Sequence, residues 1–157
     1  MKYDFLILER KAKILKNCIV EYEKSGKIEE IDLYESINDI LSWVEIGIRL
    51  VDRKNLCEDD NRTIDAIIYA NNLKKHNEQI YSFNAKTQAL YPGNSVYPSN
   101  CLYPSKNGVY WRELPFSSDK IHENSNKIKY DSYNQLLKGK EILPTISIIL
   151  DIIKNNS

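Results

Sequence analysis

Apolar positions in the first third of the chain recur at helical spacing. Phe5, Leu8, Ala12, Leu15, Ile19 and Tyr22 advance by alternating steps of three and four residues, which stacks them on one face of a helix near residues 3–24. Ser25-Gly26 then punctuates the pattern, since glycine suits the turn after a helix end. A second stripe of the same period, Tyr34, Ile37, Leu41, Val44, Ile48 and Val51, predicts a helix near 30–52. The short break at 25–29 leaves the two helices antiparallel neighbours. Gly47 lies inside the second, where glycine costs about 1 kcal/mol against alanine, and so points to a close helix crossing.

The polar stretch Cys57-Glu58-Asp59-Asp60-Asn61 precedes a third helix, predicted near 62–80 with Asn61 or Thr63 as its cap. The acidic residues favour the positive end of that helix. Ile64, Ile67, Ile68, Ala70, Leu73 and Ile80 form its apolar side. Residues 81–116 break the periodicity with four of the five prolines and eight aromatics, and no Asp or Glu stands between Gln79 and Arg112. Leu90-Tyr91-Pro92, Val96-Tyr97-Pro98 and Leu102-Tyr103-Pro104 repeat every six residues, and Val109-Tyr110-Trp111 is a looser fourth copy. Proline bars helix and central strand, so a ribbon of turns and short extended pieces is expected. A polar loop through Lys129 follows, then a short helix from Tyr130 to Leu137 ending at Gly139. Pro144 fits the first turn of a last helix, favoured over a strand at Ile146–Leu150 by length. The whole reads as one mainly α domain, 1–157: an antiparallel helical bundle, with 81–129 as a long irregular insertion and a C-terminal helix.

Composition changes this picture little. Hydrophobic residues make up 42% and charged residues 28%, as in an ordinary globular domain. The 22 basic and 22 acidic residues cancel, which argues against a broad positive field for nucleic acid or anionic lipid but leaves room for a local patch. No run approaches the ~20 apolar residues of a membrane span, and Phe5–Leu8 is too short for a secretory core. Cys18, Cys57 and Cys101 are odd in number and form no Cys-x-x-Cys pair, so reduced thiols in a cytoplasmic protein are expected, with neither disulfide framework nor zinc site. No phosphate loop, serine elbow or metal-binding helix is present, and no cofactor is expected.

Candidate chemistry concentrates at the end of the third helix, in Asn71-Asn72-Leu73-Lys74-Lys75-His76. Asn72, three spacers and His76 resemble the signature of the HEPN family (higher eukaryotes and prokaryotes nucleotide-binding), in which an arginine and a polar residue precede a histidine on a bundle helix. The resemblance covers this motif and, loosely, the helical order of the chain, and Asn71 stands where the arginine belongs. It implies a small helical protein of a prokaryotic conflict system (toxin–antitoxin or antiviral), acting on RNA or retaining the scaffold without cleavage, and a homodimer whose polar clusters meet. His76 would be the acid/base of a metal-independent RNase, since a neutral imidazole can take the 2′-hydroxyl proton or protonate the leaving oxygen. Asn71 and Asn72 would orient the phosphate, and Lys75 or Lys74 would supply the charge that asparagine lacks. A histidine near a helix C-terminus also serves simply as a dipole partner.

The ribbon supports a competing reading: a non-enzymatic, phage- or mobile-element-encoded inhibitor or adaptor. Tyr91, Tyr97, Tyr103 and Trp111 would bind a protein partner, tyrosine and tryptophan being enriched at interfaces, while Leu90, Val96, Leu102 and Val109 pin the ribbon to the bundle.

Overall fold

A computed structural model describes residues 2–83, 107–113 and 124–157. Among them run five α-helices, α1 (Lys2–Ser25), α2 (Glu30–Arg49), α3 (Glu58–Lys75), α4 (Asn124–Leu136) and α5 (Ile142–Asn156), and two short strands, β1 (Tyr81–Ser82) and β2 (Tyr110–Trp111). The protein is a mainly α helical bundle, as the apolar periodicity predicts.

The first two helices form where the stripes place them. Leu8, Leu15, Ile19 and Tyr22 of α1 are buried against Leu33, Ile37, Ile40, Leu41, Val44 and Ile48 of α2. Tyr34, assigned to that stripe, is instead 48% exposed, and Leu33 takes its place one residue earlier in the core. Gly26 adopts φ +69°, the left-handed conformation that ends α1 and turns the chain into α2. Lys11 Nζ meets Asp39 Oδ2 at 2.9 Å, joining the two helices on their solvent side. Gly47 does mark a close crossing: a Cβ there would lie 2.9 Å from Cδ1 of Ile153 on α5.

The third helix lies four residues earlier than its predicted start. Cys57 is its N-cap, so Glu58, Asp59 and Asp60 form the first turn and face the unpaired amides there. Asn61 is inside the helix and works sideways: Arg53, from a 3-10 turn at Arg53–Asn55, donates to Asn61 Oδ1 (2.9 Å) and to Asp65 Oδ1 (2.9 Å), clamping the α2–α3 connection. α4 also starts earlier than expected, at Asn124, within the stretch read as loop. It packs on α3 through Tyr69, whose ring meets those of Tyr130 and Tyr133 at 5.8 and 5.5 Å between centroids.

Residues 81–116 are expected to hold turns and short extended pieces, and both described ends are extended and pair with each other. Tyr81 lies opposite Trp111 and Ser82 opposite Tyr110 in an antiparallel pair. On its other side, Trp111 N–H donates to Lys140 O (2.8 Å) and its carbonyl accepts from Gly139 N–H (2.9 Å). Trp111, expected on a contact surface, is therefore a correction: it is 1% exposed, and its indole N–H donates to Thr145 Oγ1 at 3.2 Å. Val109 is buried, as an anchor should be. Tyr91, Tyr97 and Tyr103, with Leu90, Val96 and Leu102, lie outside the described residues. At the C-terminus the helical option holds: Pro144 sits in the first turn of α5, and Ile146, Ile149 and Ile153 face the core.

Candidate functional site

The motif residues take up very different positions. Antiparallel packing of α3 on α2 lays Asn71, Lys74 and Lys75 along a polar row of α2: Asn38, Ser42, Glu45 and Arg49, spaced four, three and four residues apart on one helical face. Asn71 is 3% exposed, and its Nδ2 donates to Glu45 Oε2 at 2.6 Å. Lys75 Nζ bridges the same carboxylate, 2.9 Å from Oε1 and 2.8 Å from Oε2. Arg49, one turn along α2, donates to Glu45 Oε1 at 2.8 Å. Lys74 donates to the backbone carbonyl of Asn38 (3.2 Å) and to Ser42 Oγ (2.9 Å).

Glu45 is thus the hub of the seam. Bonding to Lys75 first, then to Asn71 and Arg49, holds its carboxyl below the ordinary glutamate range, against the opposing effect of burial. Lys74 moves the other way: its ammonium is half-buried on neutral acceptors beside Lys75, and both effects lower its pKa. The side-chain amide oxygen of Asn71, Oδ1, is buried without a hydrogen-bond partner among the described residues. The charged acceptor dictates which end of the amide turns inward, at the expense of an orphaned oxygen.

His76 stands outside this network. It is the C-cap of α3, not a residue of its interior, and its ring is exposed with no hydrogen-bond partner among the described residues. Asn72 is half-buried, and its backbone carbonyl accepts from His76 N–H at 3.2 Å. The helix stops here because Asn77 adopts φ 62°. Asn77 N–H then bonds Lys74 O and Glu78 N–H bonds Leu73 O, each at 3.0 Å, the paired closure of a Schellman turn. Substitution tests this local stop. Asn77→Gly is expected to raise stability by a few tenths of a kcal/mol, and Asn77→Ala to lower it by about 1 kcal/mol, because a Cβ without a polar tip is penalised in the left-handed region. Denaturant melts of the two variants check the sign of each change.

The structure therefore brings Asn71 and Lys75 together on Glu45 and leaves His76 at the surface beyond them. Sequence reasoning missed Glu45, Arg49, Ser42 and Asn38. The signal was present in their helical phase, but their partners come from another helix. His122, the other histidine of the chain, lies outside the described residues. Among the described residues no group of three or more His, Cys, Asp or Glu side chains could hold a metal ion. No helix among them is long and apolar enough to cross a membrane. Comparison with protein-family models, with curated proteins and with solved structures finds no match to this chain.

Proposed function

We propose that this chain is a HEPN-like scaffold of a prokaryotic conflict system that engages RNA at the α2–α3 seam and does not itself cleave it. One observation carries the second half of that reading. The residue in the place of the motif arginine, Asn71, is buried and committed to Glu45. Phosphoryl chemistry at His76 would need a cation to hold the phosphate as charge develops. Neither lysine stands in the place of the motif arginine: Lys75 lies one turn further along α3 on Glu45, and Lys74 reaches Asn38 and Ser42.

Support for RNA as the ligand comes from the motif spacing and from local charge. Arg49, Lys74 and Lys75 gather around Glu45, while the nearby Asp39 is paired to Lys11. A concentration of cations on a chain of zero net charge is the local patch that phosphate binding requires. On this reading the working form is a homodimer in the cytoplasm, with the seams of two copies turned toward one RNA.

Incubation of wild-type protein and His76→Ala with single-stranded RNA tests the proposal. Both are expected to bind and to leave the RNA intact. Cleavage by wild type that disappears in His76→Ala would restore a catalytic role to the imidazole. Failure of both proteins to bind at low salt would remove RNA as the ligand.

A further inference from the structure

Two cations and one amide converge on the Glu45 carboxylate, with four contacts between 2.6 and 2.9 Å. Such a set of charge-assisted donors, spread over both oxygens of a planar anion, also recognises a pair of phosphate oxygens. The site opens to solvent on the cationic side: Arg49 is 72% and Lys75 48% exposed at the side chain, against 27% for Glu45. Asn71 closes the inner side, its amide N–H turned to the carboxylate and its Oδ1 left without a partner among the described residues. An anion-receiving site is therefore fully built, and a residue of the chain fills it.

We infer that Glu45 is a built-in competitor for phosphate: its carboxylate occupies the place that a phosphodiester of RNA would take, and RNA binds there by displacing it. The inference rests on the RNA reading above and adds its regulation. With the carboxylate in place, the charges of Arg49 and Lys75 are spent within the fold, and the seam's affinity for RNA is held down. Lys74 stands beside this set on the neutral acceptors Asn38 O and Ser42 Oγ.

Glu45→Gln keeps the shape and an oxygen for Asn71 but removes the competing charge. Its affinity for a short labelled single-stranded RNA is expected to exceed that of wild type about tenfold at low salt, with both cations released to the strand. The slope of log K against log salt should steepen by about 1.4, since each phosphate contact on a single strand adds about 0.7. Inorganic phosphate, titrated separately, should raise the melting temperature of Glu45→Gln more than that of wild type. Equal or weaker RNA binding by a folded Glu45→Gln, with wild type binding, overturns the competitor and leaves the RNA reading standing. Phosphate stabilisation of Glu45→Gln without RNA binding by either protein keeps the competitor and overturns the RNA reading. Should circular dichroism show Glu45→Gln unfolded, Glu45→Asp is read in its place. Its charge is drawn back by one methylene, a smaller rise in RNA affinity is expected, and no rise overturns the inference.

Discussion

Replacing Trp111 with alanine is expected to lower the stability of the fold by about 3–5 kcal/mol, the range for removing a large buried aromatic. The side chain is 1% exposed and lies where β2 meets β1, the turn before α5 and Thr145 of α5 itself. Truncation opens a cavity among three elements and leaves Thr145 Oγ1 without its indole donor. Equilibrium unfolding in urea measures the loss directly, with helical circular dichroism as the signal. Trp111→Phe separates the contributions: it keeps most of the apolar volume, forfeits the indole hydrogen bond, and should cost less than half as much as alanine. A change within the ~0.5 kcal/mol typical of surface positions would return Trp111 to the partner-facing role that the aromatic repeat suggests.

Asn71→Asp is the second substitution with a large expected effect. It changes shape hardly at all, yet it removes the donor that reaches Glu45 at 2.6 Å and sets a second carboxylate in the buried side of the seam. Loss of a hydrogen bond to a charged group, joined to like-charge repulsion, is expected to lower stability by about 2–4 kcal/mol at neutral pH. The pH dependence has a definite sign. The introduced carboxyl, buried beside Glu45, has a folded pKa above its unfolded value, so the folded state binds a proton that the unfolded state has released. The variant's deficit relative to wild type therefore shrinks as pH falls through the folded pKa of the new pair, and is constant above it. The two carboxyls titrate as a coupled pair, so the transition belongs to the pair and not to either residue. Thermal melts of both proteins between pH 4 and 8 report the effect. A deficit that did not narrow toward acid would show that the Asn71–Glu45 contact carries no charge effect.

Why these two positions were read differently from the sequence follows from the range of the interactions that place them. The long helices were legible because their signal is local: Leu8, Leu15 and Ile19, or Ile37, Leu41 and Val44, repeat with the period of the backbone itself. The limits of α3 were harder to read. Cys57 is a poor statistical cap, and the acidic run after it looks equally like a loop or a first turn. Trp111 was out of reach for a different reason. Its burial depends on pairing with Tyr81, thirty residues earlier, and with the carbonyl of Lys140, nearly as far ahead. Neither pairing leaves a trace in spacing. The site shows the same division: the motif Asn72–His76 and the phase of Asn38, Ser42, Glu45 and Arg49 are one-dimensional facts, but the convergence on Glu45 arises only where two helices cross. His76 then falls outside the convergence because the left-handed Asn77 ends the helix one residue beyond it.

The pairing of Tyr81 and Ser82 with Trp111 and Tyr110 also has a bearing on how this chain tolerates change. It fastens both ends of the intervening segment at one place on the bundle, reinforced by Arg112 N–H donating to Ile80 O at 2.9 Å and Ile142 N–H to Val109 O at 3.1 Å. The same few backbone bonds also tie this clasp to α5, because Trp111 pairs with Lys140 and Gly139 on its other side. Strand pair and last helix are thus one mechanical joint, and a substitution that loosens either half is transmitted to the other.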